Sequence, residues 1–309
     1  MDPTPAIESA VEVSVVVCTH NRAVLLRRCL RALLAQTTTR PYEVIVVENA
    51  CTDDTREVVA RFIEADARVR AIIEPRAGKS CALNAGLWAA RAPVLAFTDD
   101  DTAAAPDWLE RILAAFGSSS EVSIVAGRVR SEFEREAPEW LRMCTELKLE
   151  RRGLLHDEAE LRQIWGANVA FRKKCLASQG GFSEALGPVG SRFAPGEDTE
   201  AVLRVSRAYP AVFFDPEIVV DHWVPAEKMG LVYNLARQHR SGIATSRTCR
   251  TILVSRANLR GLGKLIVGRP GKRLAGVSEP SSRRPPRTVE SVALWVSWWS
   301  GRVLGARLR

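Results

Sequence analysis

The chain has 309 residues, with a hydrophobic share of 46%, a charged share of 26% and a net charge of +8 at pH 7. This composition is typical of a globular protein with a sizeable core, built as one large domain or one domain with an appendage. No stretch reaches the roughly 18 uncharged apolar residues that a membrane span needs, so a membrane-spanning protein is not expected.

The cysteines and the first residues favour a cytoplasmic protein. Seven cysteines lie far apart without a CxxC pair, which is typical of reduced thiols rather than of a disulfide framework or a zinc site. The first ten residues have neither a basic flank nor an apolar core, so we expect no signal peptide there.

Apolar strands alternate with amphipathic helices between Val13 and Phe116. The strands are β-branched runs, whereas the helices repeat apolar residues at three- and four-residue spacing. The predicted strands are Val13–Cys18, Tyr42–Ala50, Val69–Glu74 and Pro93–Asp101. The predicted helices are Leu25–Leu34, Thr52–Ala65 with Thr52 as its N-cap, Ser80–Ala92 and Ala105–Phe116.

This alternation predicts an α/β fold, with a mostly parallel sheet and helices on both faces. Ligands of such sheets bind beyond the carboxyl ends of the strands. The polar residues that follow the first, second and fourth strands should therefore line one crevice. They are Thr19, His20, Asn21 and Arg22, then Glu48 and Asn49, then Asp99, Asp100 and Asp101.

The pattern changes after Phe116. Strands are predicted at residues 123–129 and 163–173, on either side of a charged, partly helical insert from Ser131 to Gln163. A glycine-rich loop then leads into a helix that begins near Glu197, and two short strands are expected in residues 211–225, with a further helix beyond them.

Asp99, Asp100 and Asp101 form the strongest candidate for a metal site. Carboxylate oxygens are the ligands that hard divalent cations such as Mg²⁺ or Mn²⁺ prefer, and such a cation would also bind a substrate diphosphate. The alternative is a solvated turn in which Asp101 or Thr102 caps the next helix. A position at the end of a fourth α/β strand favours the metal site.

Three further candidates are weaker when each is taken alone. Glu197 and Asp198 begin a helix, where a carboxylate serves either as a general base or simply as a partner of the helix dipole. His222 ends a strand, as a metal ligand or as an ordinary surface histidine. Lys79 follows Gly78, but position 73 is isoleucine rather than the glycine of a P-loop, so Lys79 is expected only to meet a phosphate as a point charge.

Five segments in a fixed order together resemble family 2 glycosyltransferases, over roughly Val11 to Pro225. They are VSVVVCTHNRAVLLRRCLRALLAQ, YEVIVVENACTDDT, AGKSCALNAGLWAARAPVLAFTDDDTAAAPDWL, WGANVAFRKKCLASQGGFSEALG and GEDTEAVLRV. The resemblance implies a GT-A fold with a Rossmann-like sheet, a nucleotide-diphosphate sugar donor, a divalent metal (Mn²⁺ or Mg²⁺) and inversion at the anomeric carbon.

The resemblance also implies roles for individual residues. Asp99 and Asp101 match the DXD motif of the family, Asp198 matches its catalytic base, and His222 matches a late histidine that joins the metal in some members. Glu48 departs from the family pattern, in which aspartate is more frequent at this position. The nucleotide-sugar site is predicted to comprise Thr19, Asn21, Arg22, Glu48, Lys79, Asn84, Asp99, Asp100, Trp165, Gly166, Ala167 and Glu197.

The chain is predicted to divide into a catalytic domain, residues 11–225, and a basic helical extension, residues 226–309. Residues 289–309 combine three tryptophans with arginines, which suits peripheral contact with the inner face of the plasma membrane. The alternative is that this segment packs on the domain or on a second copy in a homo-oligomer. The expected acceptor is a carbohydrate, a lipid-linked molecule or a peptide, in bacterial surface glycan or polysaccharide synthesis.

Two other functions remain as alternatives at this point. A nucleic-acid-binding protein would place aromatic residues among the basic ones between Arg247 and Arg287, and that stretch has none, so no nucleic-acid partner is expected. A nucleotidyltransferase would carry a glycine- and arginine-rich loop after the first strand, where this chain has CTHNRA.

Overall fold

The computed structural model describes residues 10–145, 149–189, 195–237 and 239. The chain divides into two compact units. The larger takes in Met1–Glu134, Thr145–Phe193 and Glu197–Val224, and the smaller takes in Arg135–Cys144, Ala194–Gly196 and Pro225–Arg309. Most of the predicted basic extension, including residues 289–309, lies outside the described residues. Within the described ranges, no helix has the length and hydropathy of a membrane span.

The first half of the larger unit is built as the sequence predicts, from strands that each lead into a helix. The order is β1 (Val13–Thr19), α1 (Ala23–Leu34), β2 (Tyr42–Asn49), α2 (Thr55–Ala65), β3 (Val69–Glu74), α3 (Lys79–Ala89), β4 (Val94–Asp99), β5 (Thr102–Ala104) and α4 (Trp108–Gly117). The short strand β5 is not predicted by the sequence pattern, because three residues are too few to show a period.

Helix α2 begins later than the sequence predicts, so the assignment of Thr52 as its N-cap is wrong. The N-cap is Asp54, and the side chain of Asp53 accepts a hydrogen bond from the backbone N–H of Thr55 at 3.1 Å. The backbone N–H of Thr52 instead donates to the side-chain oxygen of Asn21 at 2.7 Å. That bond holds Thr52 in the loop between β2 and α2.

The chain from Gly117 to Val224, which includes the smaller unit's segment Arg135–Cys144, alternates less regularly. It contains β6 (Ile124–Phe133), α5 (Glu139–Thr145), β7 (Gly153–Leu155), α6 (Glu158–Leu161), β8 (Val169–Arg172), α7 (Lys173–Ser178), α8 (Glu197–Ala208) and β9 (Val212–Val224). A turn of 3₁₀-helix at Gly166–Asn168 precedes β8, so the strand predicted at 163–173 is shorter than expected. In the smaller unit, Ala226–Lys228 forms another 3₁₀ turn and residues 231–237 are helical.

The prediction of two short strands in residues 211–225 is also wrong. One strand, β9, runs through the segment beside β6, and the pairing shifts where Gly127 faces Asp215 but the next residue, Arg128, faces Val219. Three residues of β9 therefore have no partner in β6 and form a bulge. Pro216 lies in this bulge, where the missing N–H of proline breaks no ladder hydrogen bond.

The strands form one sheet in the order β3-β2-β1-β4-β8-β6-β9-β5, with β7 paired to β9. The four strands from β3 to β4 are parallel, whereas β8 is antiparallel to both β4 and β6. Alternate residues of β1 face opposite cores, with Val15 and Val17 in one and Val16 in the other. The predicted sheet with helices on both faces is confirmed, and the carboxyl ends of β1, β2 and β4 lie at one edge.

A buried amide joins β6, β8 and β9 beneath this edge. Asn168 is 1% exposed, accepts a hydrogen bond from the indole of Trp108 at 2.9 Å, and donates to the carbonyls of Arg128 and Ile218, each at 2.8 Å. Gly127 lies against the same group, because a Cβ there would come within 2.1 Å of the Ile218 carbonyl oxygen and 2.5 Å of the Asn168 side chain.

We expect Gly127→Ala to lower the free energy of unfolding by at least about 2 kcal/mol, since backbone must move to admit the methyl group. Urea unfolding followed by circular dichroism measures this change. The matched control is Gly117→Ala in α4, where a Cβ would meet nothing within 4 Å. Its effect should stay within about 1 kcal/mol, and equal losses in the two variants would contradict the packing described for Gly127.

Candidate active site

Three aspartates gather at the carboxyl edge of the sheet, where β4 ends and the chain turns into β5. Asp100 accepts hydrogen bonds from the hydroxyl of Thr19 at 2.8 Å and from Arg22 Nη1 at 2.9 Å. The same Arg22 nitrogen donates to Asp101 at 2.9 Å. The side chains of Asp100 and Asp101 are only 6% and 5% exposed, so Arg22 neutralises carboxylates that are nearly buried.

The turn itself is held by hydroxyl groups. Thr102 Oγ1 donates to the carbonyl of Asp99 at 2.7 Å and lies 2.7 Å from the hydroxyl of Thr98. The Thr98 hydroxyl also donates to the carbonyl of Ala167 at 2.8 Å. These bonds tie the turn to the 3₁₀ turn before β8 and give the aspartate side chains a defined direction.

His222 reaches the same place from β9. It pairs across the sheet with Thr102, and its Nε2 lies 3.3 Å from a carboxylate oxygen of Asp101. One side-chain ligand atom each from Asp99, Asp101 and His222 lies within 4.8 Å of the other two. Two carboxylates and an imidazole are a donor set that suits Mn²⁺ or a similar divalent cation, so these residues fit the metal that the sequence predicts.

Lys79 approaches from the first residue of α3. Its Nζ lies 2.8 Å from Asp99 and 3.6 Å from Glu197. Burial acts to lower the pKa of Lys79, but the charges of Asp99, Glu197 and Asp198 outweigh it and hold the pKa well above its usual value. The lysine is therefore a permanent cation at this edge, and against the effect of burial it holds the pKa of Asp99 below its ordinary value.

At Asp100, unlike at Asp99, burial determines the direction in which the pKa shifts. It raises the pKa of this carboxyl to about 6, although the charge of Arg22 opposes the rise and that of Asp101 adds to it. Asp100 thus differs from Asp99 in both its partners and its proton affinity. The contacts place it as the group that anchors Thr19 and Arg22 to the turn.

Glu197 and Asp198 begin α8 on the far side of Lys79, and they differ in exposure. Glu197 is 4% exposed, and burial followed by the charge of Asp198 raises its pKa to about 7, while Lys79 acts in the other direction. Asp198 is partly exposed and accepts a hydrogen bond from the backbone N–H of Gly166 at 2.8 Å. A Cβ at Gly166 would lie 2.9 Å from Asp198, so glycine permits this close approach.

Other predicted site residues make contacts within the fold. The Asn21 side-chain oxygen accepts from the backbone of the loop before α2, and Asn21 itself has a left-handed backbone with φ of 52°. Glu48, at the end of β2, is buried and forms an ion pair with Arg56 at 3.2 Å. Both residues lie at the carboxyl edge of the sheet, and their place in nucleotide binding stays a prediction.

Three other residues of the predicted nucleotide-sugar site lie close to the core. The Asn84 amide donates to the Phe182 carbonyl at 2.9 Å and accepts from its N–H at 2.8 Å, so it clamps a loop onto α3. Ala167 is buried and Trp165 packs against the same core. These contacts account for the three side chains structurally, and their part in binding the nucleotide sugar also stays a prediction.

The segment Leu186–Pro188 buttresses Lys79 and is missing from the sequence-based site. Ser80 Oγ donates to the Leu186 carbonyl at 2.6 Å, and the Lys79 backbone N–H donates to the Pro188 carbonyl at 3.0 Å. Between them, Gly187 has φ of 94°, and a Cβ there would come within 2.7 Å of the Ser80 hydroxyl. The sequence signal for this loop is the dipeptide Gly187-Pro188, because Gly-Pro pairs mark turns and loops.

Comparisons with known proteins agree with this architecture. A family model described as glycosyl transferase family 2 matches residues 14–178, more than half of the chain. Among similar proteins, the glucosyl-dolichyl phosphate glucuronosyltransferase of Haloferax volcanii is 25% identical over 69% of this chain and 69% of its own. The succinoglycan biosynthesis protein ExoM of Rhizobium meliloti is 28% identical over 75% of this chain and 73% of its own.

Among solved structures, the fold is similar to that of the mannosyltransferase PcManGT from Pyrobaculum calidifontis, described in complex with GDP-Man and Mn²⁺. The TM-score is 0.61 at 21% identity, over 86% of this chain and 73% of that one. The predicted GT-A fold is therefore confirmed. The protein is a glycosyltransferase rather than a nucleic-acid-binding protein or a nucleotidyltransferase. The chain belongs to glycosyl transferase family 2.

Proposed function

We propose that the protein is a metal-dependent, inverting glycosyltransferase that moves a sugar from a nucleotide-diphosphate donor to an acceptor hydroxyl. The observation that carries this proposal is the arrangement at the carboxyl edge of the sheet. Asp99, Asp101 and His222 converge at one point, and the partly exposed Asp198 begins a helix beyond Lys79. A donor diphosphate requires a cation, which Asp99, Asp101 and His222 would hold. An acceptor hydroxyl requires a base, which Asp198 would supply.

The residues that would hold the metal are Asp99, Asp101 and His222, and the ion would be Mn²⁺ or Mg²⁺. When bound, the ion would stabilise the negative charge that develops on the leaving diphosphate. The presence of GDP-Man and Mn²⁺ in the described complex of PcManGT, which shares the fold, supports this proposal.

Two cationic side chains at this edge, those of Lys79 and Arg22, would bind the diphosphate oxygens. Lys79 lies beside Asp99, and Arg22 lies beside Asp100 and Asp101, so both are at hand where the phosphates would meet the carboxylates. The nucleoside is proposed to contact Thr19, Asn21 and Glu48, which end the neighbouring strands β1 and β2 or follow them. The remaining predicted residues, Asn84, Asp100, Trp165, Gly166, Ala167 and Glu197, complete the proposed nucleotide-sugar site.

Asp198 is proposed as the general base. It would accept the proton of the acceptor hydroxyl while that oxygen attacks the anomeric carbon and the bond from that carbon to the phosphate oxygen breaks. A single displacement of this kind inverts the anomeric carbon. The hydrogen bond from Gly166 fixes one oxygen of Asp198.

Glu197 is the rival base, because its pKa of about 7 is suitable for accepting a proton near neutral pH. Access decides between the two carboxyl groups. A base must touch the hydroxyl that it deprotonates, but the Glu197 side chain is only 5% exposed and lies against Lys79. Asp198 is the more exposed of the pair, so we assign the base to Asp198 and a supporting role to Glu197.

The acceptor is proposed to be a carbohydrate or a lipid-linked sugar in surface glycan or polysaccharide synthesis. The names of two relatives support this class, since one is a glucosyl-dolichyl phosphate glucuronosyltransferase and the other a succinoglycan biosynthesis protein. Residues 11–225 would carry the chemistry. The extension at 226–309 would give peripheral contact with the inner face of the membrane, or contact with a second copy, in an otherwise cytoplasmic enzyme.

The first prediction tests metal dependence. A panel of nucleotide sugars, offered with Mn²⁺ and with a chelator, should show one donor that is hydrolysed only when Mn²⁺ is present.

Asp101→Ala should abolish metal-dependent nucleotide binding in calorimetry and leave the circular dichroism spectrum unchanged. Undiminished binding by the variant would rule out Asp101 as a metal ligand. Asp221→Ala is a matched control, because Asp221 pairs with Arg130 rather than with the aspartate cluster.

The second prediction concerns the base. Loss of a general base typically slows a reaction by about 10²–10⁴-fold, so Asp198→Asn should lower kcat by this factor. The KM of the donor should hardly change, because Asp198 would contact the acceptor rather than the donor. Glu197→Gln should lower kcat much less. The opposite ranking of the two variants in steady-state kinetics would move the base to Glu197.

A further inference from the structure

The carboxylates of the candidate metal site already have cationic partners within the chain. One oxygen of Asp99 lies 2.8 Å from Lys79 Nζ, and one oxygen of Asp101 lies 2.9 Å from Arg22 Nη1. Each carboxylate proposed to bind a divalent metal is thus paired with a side chain of the opposite charge. A metal ion that entered this cluster would lie close to two further positive charges.

Like charges at such distances repel strongly where the surroundings are partly buried. Arg22 and Lys79 would therefore oppose metal binding for as long as they keep these partners. Their effect reverses when a diphosphate is present, because its oxygens are alternative partners for both cations. The same two side chains would then stabilise the bound nucleotide.

The cations, rather than the aspartates, are able to change partner. Asp100 and Asp101 are nearly buried in a turn that is fixed by Thr98 and Thr102. The side chain of Arg22 is 38% exposed and that of Lys79 is 27% exposed. Both are long and flexible and begin at helix starts, so they can turn toward a ligand without a change in the backbone.

We propose that Arg22 and Lys79 are internal counter-ions of the aspartate cluster, which pass from the aspartates to the donor diphosphate when the metal binds. This inference rests on the proposed function, because it requires a metal and a diphosphate at the same site. It makes the binding of the two ligands mutually dependent. Metal alone binds weakly, and each ligand raises the affinity for the other by the same factor.

The test measures Mn²⁺ binding alone, by electron paramagnetic resonance of the free ion, in the wild type and in Arg22→Met. Arg22 caps α1 only through its backbone, so the substitution leaves the helix intact. Without nucleotide, the variant should bind Mn²⁺ more tightly, by a factor within the ~5–150-fold range that is common for coupled sites. With saturating Mn²⁺, it should bind UDP, GDP, ADP and dTDP more weakly than the wild type does.

The matched control is Arg27→Met, which removes an exposed arginine from the same helix. It should leave both affinities unchanged, because the charge that matters is the one in contact with the aspartates. Lys79→Met is a second variant, for use if Arg22→Met unfolds. Like Arg22→Met, it should bind Mn²⁺ alone more tightly than the wild type does and bind the nucleoside diphosphates more weakly.

Two outcomes separate this inference from the proposed function. If the wild type binds Mn²⁺ neither alone nor with any of the four diphosphates, the proposed function is overturned. If the wild type binds both ligands but folded Arg22→Met and Lys79→Met bind Mn²⁺ alone more weakly, the two cations only hold the site together. That second result would overturn the counter-ion exchange and leave the glycosyltransferase proposal intact.

Discussion

Three consecutive aspartates at the end of a buried strand are the constraint on which the rest of the site depends. Carboxylates that leave water need partners, because desolvation and mutual repulsion both disfavour their charged forms. The chain meets this need with Arg22 at the start of α1 and Lys79 at the start of α3. Helices α1 and α3, which connect parallel strands, thus each start with a cationic residue that pairs with an aspartate at the end of β4.

The mixed half of the sheet contributes the groups that complete the site. The antiparallel pairing of β5 with β9 places His222 opposite Thr102, beside the aspartate turn. The 3₁₀ turn before β8 presents the N–H of Gly166 to Asp198, and Asn168 anchors that turn to β6 and β9. The residues proposed to bind the metal and to act as the base therefore depend on strand pairings that join distant parts of the chain. Such pairings explain why residues 123 positions apart, Asp99 and His222, meet at one point.

Much of this architecture could be predicted from the sequence, because the first four strands and helices have clear periods. Their order alone placed Thr19, Arg22 and the aspartates at one edge, where the structure joins them by hydrogen bonds. The sequence does not predict β5, because three residues are too few to show a period, and it predicts two strands in place of β9, because Pro216 interrupts the pattern. Thr52 failed as a cap because Asn21, 31 residues earlier, binds its N–H.

The partners of individual side chains were harder to predict than the elements. Nothing in a local pattern shows that Arg56 neutralises Glu48, or that Asn84 clamps the backbone of Phe182. The supporting loop at Leu186–Pro188 likewise reaches Lys79 across more than 100 residues. These contacts follow from packing between separate elements, whereas the motifs show only which chemistry is present.

Anomalous diffraction from crystals grown with Mn²⁺ and the nucleoside diphosphate of the preferred donor would locate the metal ion at the aspartate cluster or elsewhere. We expect one strong manganese peak bonded to Asp99, Asp101 and His222, with diphosphate oxygens completing its coordination. A peak at another position, or a nucleotide bound at this edge with no metal beside the aspartates, would contradict metal binding by these three residues.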